Sequence, residues 1–208
     1  MTFYVHDGDV GTPGVDRLSD AQILELSSLG CEFGSHTGRH SVLYRYAILK
    51  NIAVGDTTIE VNNTISERYI KIPKSGIYKF YVGSAAKNVF TATSIDKQGN
   101  SLILTLDKPS NVAISAPVEG WIHEDTALEE MLYPKTRLEN IGVPCYGIAY
   151  PYGAIATELE SVVKQHFLYG RNASGSNVST FSGGFDYDDY HFNQYTIPCT
   201  ELVNRYVS

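Results

Sequence analysis

The chain has 208 residues, 43% of them hydrophobic and 19% charged, the balance of an ordinary globular protein able to bury roughly 70% of its unfolded surface. That is enough for one large domain or two small ones. Sixteen Lys and Arg against 23 Asp and Glu give a formal charge of −7, and no basic run is long enough to track a phosphate backbone, which argues against a nucleic-acid partner.

The opening Met1-Thr2-Phe3-Tyr4-Val5-His6-Asp7 carries neither a basic region nor an apolar run of signal-peptide length. Nowhere do about 18 apolar residues follow one another, so no membrane span is expected. Cys31, Cys145 and Cys199 lie far apart with no CxxC, which fits neither a disulfide framework nor a thiolate zinc site. Fifteen tyrosines are unusual for this length. Flat rings with a polar handle suit the faces of sugars, and they equally suit β-strand packing.

In chain order, Thr2–Val5 reads as a strand, and His6 to Gly14 as a turn-rich loop. Ser19-Asp20-Ala21-Gln22 is a capping box opening a helix with Ile23, Leu24, Leu26 and Leu29 on one face and Gly30 as its stop. Cys31–Gly34 predicts a short strand leading into Ser35-His36-Thr37-Gly38-Arg39-His40.

Between residues 44 and 125 the texture becomes short β-branched and aromatic runs separated by turn residues, the pattern of an all-β module, either a small barrel or a sandwich. Its expected strands are Thr58–Val61, Tyr69–Ile72, Ile77–Val82, Val89–Ile95, Leu102–Leu106 and Gly120–Ile122, with Lys97–Asn100 as a turn. Trp121 and His123 read as core and rim.

Thr126-Ala127-Leu128-Glu129 then looks like a second capping box, starting a helix that Pro134 is expected to kink or divide and that Gly142 ends. Val143–Ala149 is a strand candidate, Tyr150–Gly153 a turn, and Ala154–His166 a helix with Ile155, Leu159, Val162 and Val163 inward. A Gly/Ser/Asn/Asp/Tyr-rich loop, Gly175–Asp189, precedes an apolar piece at Tyr195–Cys199; its oxygen-dense Asp186–His191 run reads as a solvated loop rather than a calcium site. Strands alternating with helices favour a parallel sheet, so the expected architecture is an α/β domain, residues 1–43 and 126–208, interrupted by an all-β insertion at 44–125.

His36 and His40 carry the clearest chemistry. Four residues apart, they would stand on one face of a helical turn, close enough to hold one metal ion, although two histidines at this spacing also arise by chance. Their surroundings resemble one family in order. Gly30-Cys31-Glu32-Phe33-Gly34-Ser35-His36-Thr37-Gly38-Arg39-His40, preceded by the capped helix, fills every fixed position of G-x-E-[IVF]-G-[SN]-H-[ST]-x-x-H, the zinc motif of the NodB-homology polysaccharide deacetylases, carbohydrate esterase family 4. Thr2–Val5 resembles the family's second strand, Ile148–Gly153 its Pro-Tyr motif, and Tyr169–Ala173 the strand that follows. The likeness covers about residues 2–43 and 126–200 and skips the β module.

The resemblance implies an incomplete, distorted (β/α) barrel in which His36 and His40 bind zinc or another divalent cation. It implies that Tyr150, Pro151 and Tyr152 line a substrate groove with Arg171 facing it, and that the backbone N–H of Tyr152 stabilises an oxyanion. Three features depart from the family pattern. The T-F-D-D-G motif, source of the base and of the third metal ligand, belongs ahead of the first strand here, and the chain starts too late to contain it. The arginine that orients the base falls on Tyr146, and the family's late general-acid histidine has no counterpart, since His191 does not fit.

Because a hydrolytic zinc site needs three protein ligands and an open position, the missing carboxylates would come from a neighbouring segment, from an assembly partner, or from Asp7 and Asp9 on the loop after the first strand. The implied function is removal of N- or O-acetyl groups from an acetylated polysaccharide at a cell surface, outside the cell or on a virion. The alternative is a catalytically silent, glycan-binding or structural relative; the Ala53–Val61 opening of the β module looks like the small β domains of phage tail proteins.

Overall fold

The computed structural model describes residues 2–5, 18–62, 70–83 and 88–171. They divide into two compact units, Met1–His40 with Met131–Ser208, and Ser41–Glu130. The first is mixed α/β and the second is all-β apart from the start of one helix.

In the α/β unit, strands β1 (Thr2–Val5), β2 (Glu32–Ser35), β9 (Cys145–Ala149) and β10 (Tyr169–Arg171) form a parallel sheet in the order β1-β2-β9-β10. Helix α1 (Asp20–Ser28) connects β1 to β2 and is capped as its sequence predicts: the Ser19 side chain accepts from the Gln22 N–H, and the Gln22 side chain accepts from the Ser19 N–H at 2.8 Å. Ile23 is its buried anchor, and Gly30, at φ +87, turns the chain out of the helix. Between β9 and β10 the expected single helix is two pieces, a 3-10 turn at Thr157–Leu159 and α3 (Glu160–His166). Ile155, Leu159, Val162 and Val163 are all buried as the spacing requires.

The β unit holds β3 (Tyr46–Ile48), β4 (Thr58–Asn62), β5 (Tyr78–Val82), β6 (Asn88–Gln98), β7 (Ser101–Leu106) and β8 (Val118–Ile122) in one antiparallel sheet, order β3-β8-β5-β6-β7-β4. Edge strands β3 and β4 approach each other, so the sheet nearly closes into a barrel. Alternation fills its interior: Tyr78, Phe80 and Val82 from β5 and Leu102, Leu104 and Leu106 from β7 are buried, with less buried neighbours between them. The β6–β7 hairpin closes through Gly99-Asn100, with Gly99 at φ +58 supplying the left-handed residue such a tight loop needs.

Two expectations, a strand at Tyr69–Ile72 and a capping box at Thr126–Glu129, are corrected, and one strand is added. Ile70–Ile72 lies in no strand, because Pro73 directly after it removes a ladder donor and restricts the residue before it; Tyr69 is outside the described residues. Strand β3, which the sequence did not mark, is only three residues long and shows no period. Helix α2 runs from Glu124 to Asn140 undivided, with Pro134 inside it. Its start is also shifted, so Thr126 and Glu129 do not form a capping box. Instead Thr126 Oγ1 accepts from the Lys79 N–H at 2.9 Å, the Glu129 carboxylate accepts from the N–H and hydroxyl of Ser75, and His123 Nδ1 caps the helix by accepting from the Asp125 N–H at 3.1 Å. No helix among the described residues is long and apolar enough to cross a membrane.

Candidate metal centre

The ends of two adjacent parallel strands bring the site together. His36 follows β2 and extends its ladder by donating its N–H to the Val5 carbonyl at 2.9 Å; Tyr150–Gly153 follows β9. Both segments thus leave the sheet at its C-terminal edge, where the loops of parallel α/β folds converge on ligands. Ser35, fully buried, fixes the end of β2 by donating its hydroxyl to the Met131 carbonyl at 2.8 Å.

Residues 36–40 are not a helical turn, contrary to the simplest reading of the His36–His40 spacing. Thr37 and His40 both adopt left-handed backbone angles, φ 61° and 58°, and the chain folds back so that the rings meet edge to face, centroids 4.6 Å apart. Left-handed angles in non-glycine residues carry strain of about 1–3 kcal/mol each and gather where function demands them. Tyr152 is a third case, at φ 60° and ψ 11°.

The ring nitrogens are organised. His36 Nδ1 lies 2.9 Å from the Ala149 carbonyl oxygen; a carbonyl only accepts, so Nδ1 carries the hydrogen and a neutral His36 turns its Nε2 lone pair outward. His36 Nε2 and His40 Nε2 are 3.0 Å apart. His40 Nδ1 is 2.8 Å from the Tyr152 hydroxyl, whose ring meets the His40 ring edge-on at 4.7 Å.

Two nitrogen ligands at about 2.0–2.1 Å from a tetrahedral zinc stand about 3.3 Å apart. The observed pair therefore needs to open by only a few tenths of an ångström, and the His36–carbonyl contact is the outer bond a ligating imidazole ordinarily has. The two imidazoles fit as two of a cation's ligands. Among the described residues no group of three or more His, Cys, Asp or Glu side chains stands together to complete such a set, and Asp7 and Asp9 lie outside the described residues, as do His191 and the Asp186–Asp189 run.

The expected groove residues separate. Tyr150 is fully buried and Pro151 is buried too, and the Tyr150 N–H donates to the Arg171 carbonyl at 2.8 Å. Tyr152 keeps 39% of its surface exposed and is the tyrosine of this turn that solvent and ligands reach. Arg171 lays its guanidinium over the Tyr4 ring, 5.5 Å from the centroid.

The sequence reading missed a polar network below the histidines. On one face of the sheet, Glu32 accepts hydrogen bonds from Thr2 Oγ1 at 3.1 Å and from the Tyr169 hydroxyl. Burial, followed by the bond to Glu32, raises the pKa of Tyr169, and burial raises that of Tyr4, so both phenols stay protonated. Gly34 and Gly147 make the room. A Cβ on Gly34 would lie 2.7 Å from the Tyr4 ring, and one on Gly147 would lie 2.2 Å from the Tyr169 ring. Two glycines inside strands were the available signal, since a strand glycine marks a close approach.

No protein-family model matches the chain, and no curated protein matches it. The chemistry of the site therefore rests on its own geometry.

Proposed function

We propose that the chain is a metal-dependent carbohydrate deacetylase of the NodB-homology kind, acting on acetyl groups of a cell-surface or extracellular polysaccharide. The observation that carries this reading is the convergence of His36 Nε2 and His40 Nε2 at 3.0 Å, with His36 anchored through Nδ1 to Ala149. His36 and His40 would hold a divalent cation, and Asp7 or Asp9, or a carboxylate from a neighbouring segment or partner, would complete the ligands and serve as base. The cation, when bound, lowers the pKa of a ligated water toward about 7 and polarises an acyl carbonyl.

The chain's own groups then have separable tasks. The left-handed backbone of Tyr152 presents its N–H to the oxygen that gains charge as the acetyl carbonyl is attacked. The exposed Tyr152 ring offers a flat face to a sugar. Arg171, held over Tyr4, sits on the strand whose carbonyl fixes Tyr150, and so ties the Pro-Tyr turn to the sheet.

Metal analysis of purified protein, paired with acetate release from acetylated chito-oligosaccharide or acetylxylan, tests this reading. We expect close to one zinc per chain and an activity abolished by His36→Ala. Absence of zinc even in excess metal, or acetate release unchanged in His36→Ala, overturns it. Zinc uptake with tight glycan binding and no acetate release would favour a silent, glycan-binding relative.

A further inference from the structure

The joint between β8 and α2 holds a histidine outside the candidate metal centre. His123 directly precedes Glu124, the first residue of α2, and its main chain is fixed in both directions: its N–H donates to the Lys79 carbonyl at 3.0 Å, and its carbonyl accepts from the Ala127 N–H at 2.9 Å. Movement at this position is left to the side chain. Nδ1 of the ring accepts from the Asp125 N–H at 3.1 Å. A backbone N–H always donates, so this contact requires a lone pair on Nδ1 and hence a neutral imidazole. The bond satisfies one of the amides that a helix start leaves without a partner in the helix.

The same ring stands among groups that suit its charged form. Glu124 Oε2 and Asp125 Oδ2 lie 3.6 and 3.8 Å from Nδ1, and the Tyr81 ring from β5 stacks on the imidazole with centroids 4.7 Å apart, a face that attracts a cation. The two carboxylates differ in what already holds them. Asp125 is paired with the Lys79 ammonium at 2.8 Å, whereas Glu124 accepts from the neutral Tyr81 hydroxyl at 2.6 Å. Glu124 is therefore the carboxylate that a new cation draws over, by about 0.8 Å, to an ordinary charged hydrogen-bond length of about 2.8 Å. We propose that the β8–α2 joint is a proton-operated switch: neutral His123 caps the helix through Nδ1, and protonated His123 releases the Asp125 N–H and pairs with Glu124, which lets go of the Tyr81 hydroxyl. One proton from solvent adds to Nδ1, the ring gains one positive charge, and no other covalent bond changes. Loss of the cap and the positive end of the helix dipole oppose the second state, while Glu124, Asp125 and the Tyr81 face favour it. Each state thus has its own partners, as a two-state element requires, and imidazole is the side-chain group that ordinarily changes charge between about pH 5 and about pH 8.

The test is a nuclear magnetic resonance titration of the whole chain, labelled with nitrogen-15, from about pH 8 to about pH 5. Long-range proton–nitrogen spectra report which ring nitrogens of His123 carry hydrogen, and amide and aromatic spectra follow Asp125 and Tyr81. We expect hydrogen on Nε2 alone at the alkaline end and on both nitrogens at the acid end. The His123 ring, the Tyr81 ring and the Asp125 amide proton, which moves upfield as its bond is lost, should share one midpoint. The hydrogen bond from the Lys79 ammonium holds the Asp125 carboxyl below its ordinary range, so that group stays ionised throughout. In His123→Asn, whose side chain caps a helix without titrating, the Asp125 amide and the Tyr81 ring should show no transition. Hydrogen on Nδ1 at the alkaline end, a His123 ring that never changes charge, or an Asp125 amide that stays in place while His123 titrates overturns the switch without needing any variant. Transitions of Asp125 and Tyr81 that persist in a folded His123→Asn protein overturn it too.

Discussion

In β5 and β7 of the β unit every second side chain is apolar and buried, from Tyr78, Phe80 and Val82 to Leu102, Leu104 and Leu106. One face of the parallel sheet in the α/β unit uses the same alternation for Thr2, Tyr4, Glu32, Tyr169 and Arg171, joined by hydrogen bonds and a cation–ring contact, with glycines where the rings lie down. A strand period thus fixes which residues share a face without fixing what the face does. The β unit spends its pattern on a core. The α/β unit spends one face on a polar network and places its histidine pair at the strand ends.

The largest effect that would break this contrast comes from Phe80→Ala, at a position with no exposed surface in the β unit. Truncating a fully buried aromatic should destabilise by about 3–5 kcal/mol. Denaturant unfolding measures it, and zinc affinity of the remaining folded protein should be unchanged; a large loss of affinity would mean that the two regions do not divide core from chemistry. Next is Gly147→Ala, whose Cβ would meet the Tyr169 ring. Forcing that ring aside should cost about 1–3 kcal/mol and break its bond to Glu32. A variant as stable as wild type would show that Tyr169 does not need to lie across the strand.

Alkali weakens both regions. Burial pushes the Cys145 thiol in β9 from 9.0 up to about 12. In the β unit, burial together with the Glu124 carboxylate that accepts its hydrogen bond pushes Tyr81 from 10.0 up to about 12. Both folded values lie above the unfolded ones, so the unfolded chain loses its proton first and stability falls as pH rises, from about 9 for Cys145 and about 10 for Tyr81, through about 12. Cys145→Ala should flatten the earlier part of that fall and Tyr81→Phe only the later part, as read from thermal unfolding across the alkaline range. The smallest expected effect is that of Lys79→Ala. Its ion pair with Asp125, at 2.8 Å, joins two substantially exposed side chains, so its loss should change stability by less than about 1 kcal/mol and by less still in high salt.

What the sequence made legible follows from where local rules decide the structure. The α1 capping box, the alternating strands of the β unit and the parallel pairing of β1, β2, β9 and β10 each rest on one signal that tertiary context leaves alone. The Thr126–Glu129 box failed because both side chains found partners elsewhere in the β unit, and a histidine, a residue no capping rule favours, took the N-terminal position. Within the site, the pairing of His36 with His40 was legible from spacing, but its geometry was not. Left-handed angles at Thr37, His40 and Tyr152 are conformations that sequence preferences argue against, and they create the contacts that matter. The burial of Tyr150 was hidden for a related reason, since a Tyr-Pro-Tyr turn does not say which of its two rings enters the core.

X-ray absorption at the zinc edge tests the central claim most directly, because it counts the ligands of the bound ion. For zinc-loaded wild type we expect the multiple-scattering signature of two imidazoles at about 2.0–2.1 Å, reduced to one or lost in His36→Ala. A zinc ion surrounded only by oxygen ligands, or an imidazole signature unchanged in His36→Ala, would contradict the assignment of His36 and His40 as a cation-binding pair.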